Sequence, residues 1–189
     1  MKAVSSISFF RQTQTLDCTL MQMEQSDLPL ILQFQQKTFD AVEDKDTFVP
    51  LSEQEWRYLL AHGFALGVFP AGEKTPAYLI GCLYPPDEEN LGHEINLPPE
   101  KLGQVAHLEI AMADPNYRGW KMHSRMCALC VERLRQDGRT RYVMSTVAPH
   151  NLPSRRALEH AGLHSAMEKE KYGGKLRCIM LLELADGCR

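Results

Sequence analysis

One stretch, from His107 to Gln136, limits what this chain can fold into more than any other. It opens with the apolar run His107-Leu-Glu-Ile-Ala-Met-Ala113. It then passes through Asp114-Pro115-Asn116-Tyr117-Arg118-Gly119-Trp120-Lys121-Met122-His123 and continues as a helical pattern over 119–136. A strand, a tight Pro/Gly turn and a helix in that order commit the chain to an α/β architecture. They also collect the unpartnered backbone N–H groups of a helix start at one spot, where the helix dipole is positive. Such a spot accepts anions, and Arg118 and Lys121 add full charges to it. An ordinary strand-to-helix turn would share this pattern, so a second signal is needed.

That signal is His150-Asn151-Leu152-Pro153-Ser154-Arg155-Arg156-Ala157-Leu158-Glu159-His160-Ala161-Gly162-Leu163. Together the two segments resemble the GNAT superfamily of acyl-CoA-dependent N-acyltransferases. In that family a Pro-x-Tyr-Arg-Gly loop holds the pyrophosphate of coenzyme A. An Asn-x-x-Ser-x-x-x-Leu-Glu-x-x-Gly-Phe pattern follows the next strand, and here Leu163 replaces its aromatic. The resemblance spans roughly 64–184 by order of elements and is specific at motif level over 109–162. It implies a cofactor site built from Ala111, Met112, Ala113, Arg118, Gly119, Trp120, Lys121, Met122, His123, Asn151 and Ser154. The family's loop usually reads Arg-Gly-x-Gly-x-Gly/Ala. This chain carries Lys121 and His123 where the second and third small residues belong, positions at which a glycine lets phosphate approach the backbone.

Composition fits an enzyme of this kind. The chain has 189 residues, 44% hydrophobic and 24% charged, which suits one domain with a substantial core. The expectation is a single domain over 1–189, with residues 1–17 a mobile arm or an extra strand. No apolar run reaches the length of a transmembrane helix, and the N-terminal segment, broken by serines, lacks a cleavage site, so a cytoplasmic location is expected. Six cysteines without a framework pattern suit a reduced compartment. Net charge is −3 but uneven: residues 1–117 carry 7 Lys/Arg against 17 Asp/Glu, and residues 118–177 carry 13 against 5. The basic part coincides with the motifs that would meet a polyanionic cofactor, and the acidic part suits a cationic amine, although two solvated faces would look the same. Few aromatics in the basic part, and an acidic chain overall, argue against nucleic acid. Neither a membrane nor a metal is expected, and the chain reads as a monomer or homodimer.

Hydrophobic spacing gives the order of elements: a strand at 19–23, a helix from Leu28 through Phe39 and Val42, and a capping box Ser52-Glu53-Gln54-Glu55 opening a helix that stops at Gly63. Strands 64–69 and 78–84 follow, then a long loop from Pro85 to Lys101 without periodicity, read as a cover over the acceptor site. A strand at 105–113, a helix at 119–136, a strand at 142–147, a helix at 153–161 and a hairpin turning at Gly173-Gly174 complete the chain. The fold expected is α+β: a mixed, mostly antiparallel seven-stranded sheet with about four helices.

Acyl transfer to an amine requires loss of the amine's proton, polarisation of the thioester, departure of the thiolate and alignment of both substrates. The resemblance implies direct attack in a ternary complex, with polarisation by a backbone N–H at Ala111-Met112-Ala113. For the base, Glu109 lies two residues from His107 on one strand face, and an unpaired carboxylate in an apolar strand is costly. Its structural alternative is an ion pair with Arg125 or Arg141, while His107 alone reads as a satisfied, partly buried histidine. For the acid, the family's usual tyrosine position holds Leu158. Ser154 fills the role in the branch that resembles protein N-terminal acetyltransferases, or else serves as a helix-start residue, and Tyr172 is the reserve. The expected reaction is acetyl transfer from acetyl-CoA to a primary amine, on a small molecule or a protein N-terminus or lysine. A non-catalytic acyl-CoA-binding or interaction module of the same fold is the alternative. A zinc deaminase, suggested by His107-x-Glu109 and Cys127-x-x-Cys130, is the remote one.

Overall fold

The computed structural model describes residues 1–185. Its strands are β1 (Lys2–Arg11), β2 (Gln14–Met23), β3 (Gly63–Pro70), β4 (Tyr78–Leu83), β5 (Val105–Ala113), β6 (Tyr142–Val147), β7 (His164–Lys171) and β8 (Lys175–Glu183). Its helices are α1 (Leu28–Ala41), α2 (Glu53–His62), α3 (Pro99–Leu102), α4 (Met122–Gln136) and α5 (Leu152–His160). The strands form one mixed sheet in the order β1-β2-β3-β4-β5-β6-β8-β7. The β1/β2, β2/β3, β6/β8 and β7/β8 ladders are antiparallel and β5/β6 is parallel.

Eight strands stand where the sequence suggested seven. The additional one is β1, the extra strand considered for residues 1–17, and it alternates: Ile7 and Phe9 are buried, Ser6 and Phe10 are exposed and Ser8 is half-buried. Arg11 pairs with Gln14 across a two-residue turn in which Gln12 takes a left-handed φ of 53°. No glycine, asparagine or proline marks that turn, which is why the hairpin is hard to read from sequence.

The chain falls into two compact units, residues 1–81 with 110–123, and residues 82–109 with 124 onward. In the first, α1 buries Leu28, Ile31, Phe34, Gln35 and Thr38, a helical spacing, and α2 buries Trp56 and Leu59. Gln35 links these helices: its Oε1 accepts from Trp56 Nε1 (2.8 Å) and its Nε2 donates to the Leu51 carbonyl (2.7 Å), so a buried amide is satisfied. The Ser52/Glu55 capping box forms as the sequence suggested. Gly81 lets α2 lie close on β4, since a Cβ there would sit 2.8 Å from Leu59 Cδ1.

In the second unit, Leu91, Val105, Met144, Ile179 and Leu181 form a buried cluster, with Ile95, Leu97 and Tyr142 packed against it. The segment between β4 and β5 is therefore anchored, not loose. It contains 3-10 turns at Asp87–Glu89 and Leu91–Ile95 as well as α3. Glu94 ties it to β7 through Lys169 (2.6 Å) and Lys171 (2.8 Å). Cys82, Cys127, Cys130 and Cys178 are buried free thiols, Cys18 is another in the first unit, and Cys188 lies outside the described residues. No described helix is long and apolar enough to cross a membrane.

Candidate active site

In the first unit the site begins where β5 ends. Asp114, 5% exposed at its side chain, receives the Lys37 ammonium at 2.6 Å and accepts the Asn116 N–H at 3.0 Å. Its own N–H donates to the Ala77 carbonyl (2.9 Å). These bonds fix the chain as it leaves the strand. A single 3-10 turn, Pro115–Tyr117, leads to extended Arg118, and then Gly119 (φ 87°) and Lys121 (φ 57°) turn left-handed. Neither residue can belong to a right-handed helix, so α4 starts at Met122 instead of 119. The loop thus keeps a glycine-like backbone at Lys121, although a lysine in that conformation is strained. Ala111 is half-buried, Met112 buried and Ala113 exposed at the end of β5.

His123, the second departure from the family loop, sits partly buried with its Nδ1 2.6 Å from the Tyr78 hydroxyl. Tyr78 is itself 1% exposed, and the two rings lie 5.8 Å apart, centroid to centroid. Burial pushes the imidazole down to about 4, so it is neutral at physiological pH. The residue that replaces a small one is thus a neutral, hydrogen-bonded ring and adds no charge to the loop.

The second unit holds its own group of candidate residues, around His107 and Glu109 on β5. His107 is 4% exposed; its Nε2 accepts the Leu91 N–H (3.2 Å) and its Nδ1 lies 3.2 Å from Glu109 Oε2. Because a backbone N–H can only donate, Nε2 must carry the lone pair, and Nδ1 holds the proton and gives it to the carboxylate. His107 therefore orients Glu109 and anchors the 90–92 segment at once. Asn90 reinforces the anchor by accepting the Gly92 N–H (2.9 Å) and donating to the Leu102 carbonyl (3.0 Å). His107 is thus a partner of Glu109 on the same strand.

The β5/β6 ladder pairs only Val105, Ala106 and His107 with Tyr142, Val143 and Met144. One residue further, the buried Ser145 hydroxyl donates to the Leu108 carbonyl (2.8 Å), a side-chain bond that takes over where the ladder stops. Next along β6, Thr146 meets the Tyr172 hydroxyl at 3.0 Å. Tyr172 occupies the β7–β8 turn with a left-handed φ of 51°, followed by Gly173 and Gly174, also left-handed. The Arg177 guanidinium lies 5.7 Å from its ring centre. Although Tyr172 is 45% exposed, partial desolvation chiefly, then the nearby Glu109 carboxylate, raises the phenol above its usual range, with Glu89 adding to this and Thr146 and Arg177 opposing it. The acid–base candidates Glu109 and Tyr172 therefore share a neighbourhood.

Asn151 and Ser154 meet at the start of α5. Asn151 is the N-cap, and its Oδ1 accepts the Ser154 N–H at 3.3 Å. Leu158, at the family's tyrosine position, is 3% exposed and packs inward. A zinc site is disfavoured by chemistry, since His107 Nε2 already spends its lone pair on Leu91 and Cys127 and Cys130 are buried along α4. Among the described residues no group of three or more His, Cys, Asp or Glu side chains is arranged to hold a metal. Sequence reasoning missed Arg11, Tyr78, Ser145 and Thr146 as contributors. The serine and threonine on β6 were legible as polar residues inside a buried strand; Arg11 carried no local signal.

Neither a family model nor a curated protein matches this sequence. The fold, however, is similar to solved acetyltransferases. The ribosomal-protein-S5-alanine acetyltransferase of Vibrio fischeri superposes with a TM-score of 0.67 at 14% identity, covering 95% of this chain and 98% of that one. A GNAT-family acetyltransferase of Streptococcus pneumoniae gives 0.66 at 14%, covering 89% and 99%. Arabidopsis thaliana NAA60, solved with acetyl-CoA, gives 0.68 at 11%, covering 88% and 98%. This chain has the GNAT N-acetyltransferase fold.

Proposed function

We propose that the protein transfers an acetyl group from acetyl-CoA to a primary amine by direct attack in a ternary complex. The observation that carries this is the loop from Arg118 to His123, at the head of a 15-residue helix on a GNAT fold. Its left-handed residues at Gly119 and Lys121 give it the conformation that phosphate-binding turns require, at a place where a lysine would otherwise avoid that region. Residues present fit the cofactor: small Ala111 and Ala113 suit a close-lying pantetheine arm, and Arg118, Lys121 and the loop N–H groups suit its pyrophosphate. Trp120 and Met122 flank that loop, and Asn151 and Ser154 offer amide and hydroxyl contacts at the start of α5. Acetyl-CoA supplies the thioester, and a backbone N–H of Ala111-Met112-Ala113 would polarise its carbonyl.

The chain's own side chains handle the protons. Glu109, held by His107, takes a proton from the incoming ammonium, directly or through water. The freed amine nitrogen bonds to the acyl carbon, the carbon–sulfur bond breaks, and the nitrogen's surplus proton leaves through water and replaces the one that the thiolate takes from Tyr172. Tyr172, whose phenol retains its proton well above neutral pH, supplies one to the departing thiolate. Ser154 is the second donor for that sulfur. A cationic acceptor suits this neighbourhood because Glu89 and Glu109 both act on Tyr172.

The test is thiol release from acetyl-CoA over a panel of small amines and peptides bearing free N-termini or lysines. Turnover with at least one amine, abolished by omitting it, is expected. Saturable binding with no turnover across the panel would leave only the cofactor-binding module.

A further inference from the structure

The β1–β2 hairpin places one residue on the phosphate loop that the reading above does not use. Arg11 ends β1, and its Nη1 donates to the Arg118 carbonyl (3.4 Å) while its Nη2 donates to Gln14 Oε1 (3.4 Å). Its guanidinium carbon lies 5.1 Å from the Trp120 ring centre. A Cβ added at Gly119 would sit 3.5 Å from Arg11 Cδ, so the side chain runs along the glycine itself. All of these residues belong to the first unit.

The chemistry is suggestive in three ways. First, the guanidinium is held by a carbonyl, an amide and an indole face, all neutral; among the described residues it has no carboxylate partner. Second, it joins Arg118 and Lys121, so three cations flank Gly119 and Trp120, while the one acid at the loop's start, Asp114, is committed to Lys37. Third, a guanidinium carries five N–H donors and two are engaged here, by the Arg118 carbonyl and Gln14, which leaves donors for phosphate oxygens. Gly119 is required here by its φ of 87°, while a Cβ at that position would make only ordinary contact with Arg11.

We propose that Arg11 is a further cofactor-binding residue, reaching from the N-terminal hairpin to a phosphate group of coenzyme A. This rests on the acetyl-CoA reading of the same loop. Two phosphate groups share this chemistry, the pyrophosphate and the 3′-phosphate of the ribose, and the experiment separates them.

Calorimetric titration of the full chain with coenzyme A and with 3′-dephospho-coenzyme A, in wild type, Arg11→Ala and Arg11→Lys, provides the test. Arg11→Ala should weaken coenzyme A binding about tenfold, the scale of one charge-assisted hydrogen bond, and Arg11→Lys should recover part of it. A loss for coenzyme A but not for the dephospho form assigns the 3′-phosphate; an equal loss for both assigns the pyrophosphate. Either supports the proposal, provided S-acetylpantetheine, which has no phosphate, shows no loss. A merely structural arginine would weaken all three ligands alike, and that outcome overturns the proposal. Wild-type binding with unaltered affinity in Arg11→Ala overturns it alone; no wild-type binding of coenzyme A overturns it together with the acetyl-CoA reading.

Discussion

His123 makes stability depend on pH in a way that can be worked out beforehand. Burial lowers its folded-state value to about 4 from an ordinary 6.5. The folded protein therefore favours the neutral ring, while the unfolded chain takes up a proton as pH falls below 6.5. The contribution is fully present above 6.5 and is lost as pH falls from 6.5 toward 4. Between pH 7.5 and pH 5 the difference in proton uptake amounts to about 2 kcal/mol. For a chain of this length that corresponds to a melting-temperature loss of about 4–8 °C. The perturbation is His123→Gln, which can keep a bond to the Tyr78 hydroxyl but cannot titrate. Urea denaturation at pH 7.5 and pH 5 would measure both proteins, with ordinary carboxylates contributing equally to each. The variant should lose about 2 kcal/mol less than wild type on acidification. Parallel losses would show that His123 is as readily protonated in the folded protein as in the unfolded chain, and the burial argument would fail.

Further expectations concern the chemistry and the loop. Glu109→Gln should lower the rate about 100-fold or more, with acetyl-CoA affinity nearly unchanged; an unaltered rate would take Glu109 out of the base role. Tyr172→Phe should reduce turnover by about 10- to 100-fold at high pH and low pH alike, until the phenol itself ionises in wild type; equal rates in variant and wild type would pass the acid role to Ser154. Lys121→Gly relieves a left-handed lysine, worth about 1–2 kcal/mol, against about 0.5–1 kcal/mol of glycine's extra unfolded-state freedom. The variant should therefore be as stable as wild type or slightly more so by thermal melting, and it should bind acetyl-CoA more weakly if the ammonium meets phosphate. A clear drop in melting temperature would contradict the strain argument.

Much of the fold was legible because its signals are local. The Ser52/Glu55 capping box, the Gly173-Gly174 turn and the apolar runs of β3 to β6 each declare themselves within a few residues. The start of α4 was misplaced by three residues because helical spacing says nothing about φ at Gly119 and Lys121, which decides it. The β1–β2 turn escaped, and residues 1–17 stayed open between an arm and an extra strand, because Gln12 and Thr13 are unusual turn residues and serines hid the alternation around Ile7 and Phe9. The order in the 85–101 segment is fixed by contacts distant in sequence: Leu91 on His107, and Glu94 on Lys169 and Lys171. Among the candidate residues, Glu109 was nameable as a carboxylate in an apolar strand and Tyr172 from its place before the Gly-Gly turn. The state of His107 was not, because it depends on a backbone donor 16 residues away. Arg11 lies 107 residues from the carbonyl it meets, beyond the reach of any local pattern.

The central claim is that the 118–123 loop takes acetyl-CoA, and Trp120 lies inside that loop. Titrating acetyl-CoA against tryptophan fluorescence, with Trp120→Phe as the blank for the fully buried Trp56, tests it most directly. The account predicts saturable quenching in wild type, none in Trp120→Phe, and a melting temperature that rises with ligand in both. A flat wild-type response without any thermal stabilisation would contradict it, and the acetyltransferase reading would fall with it.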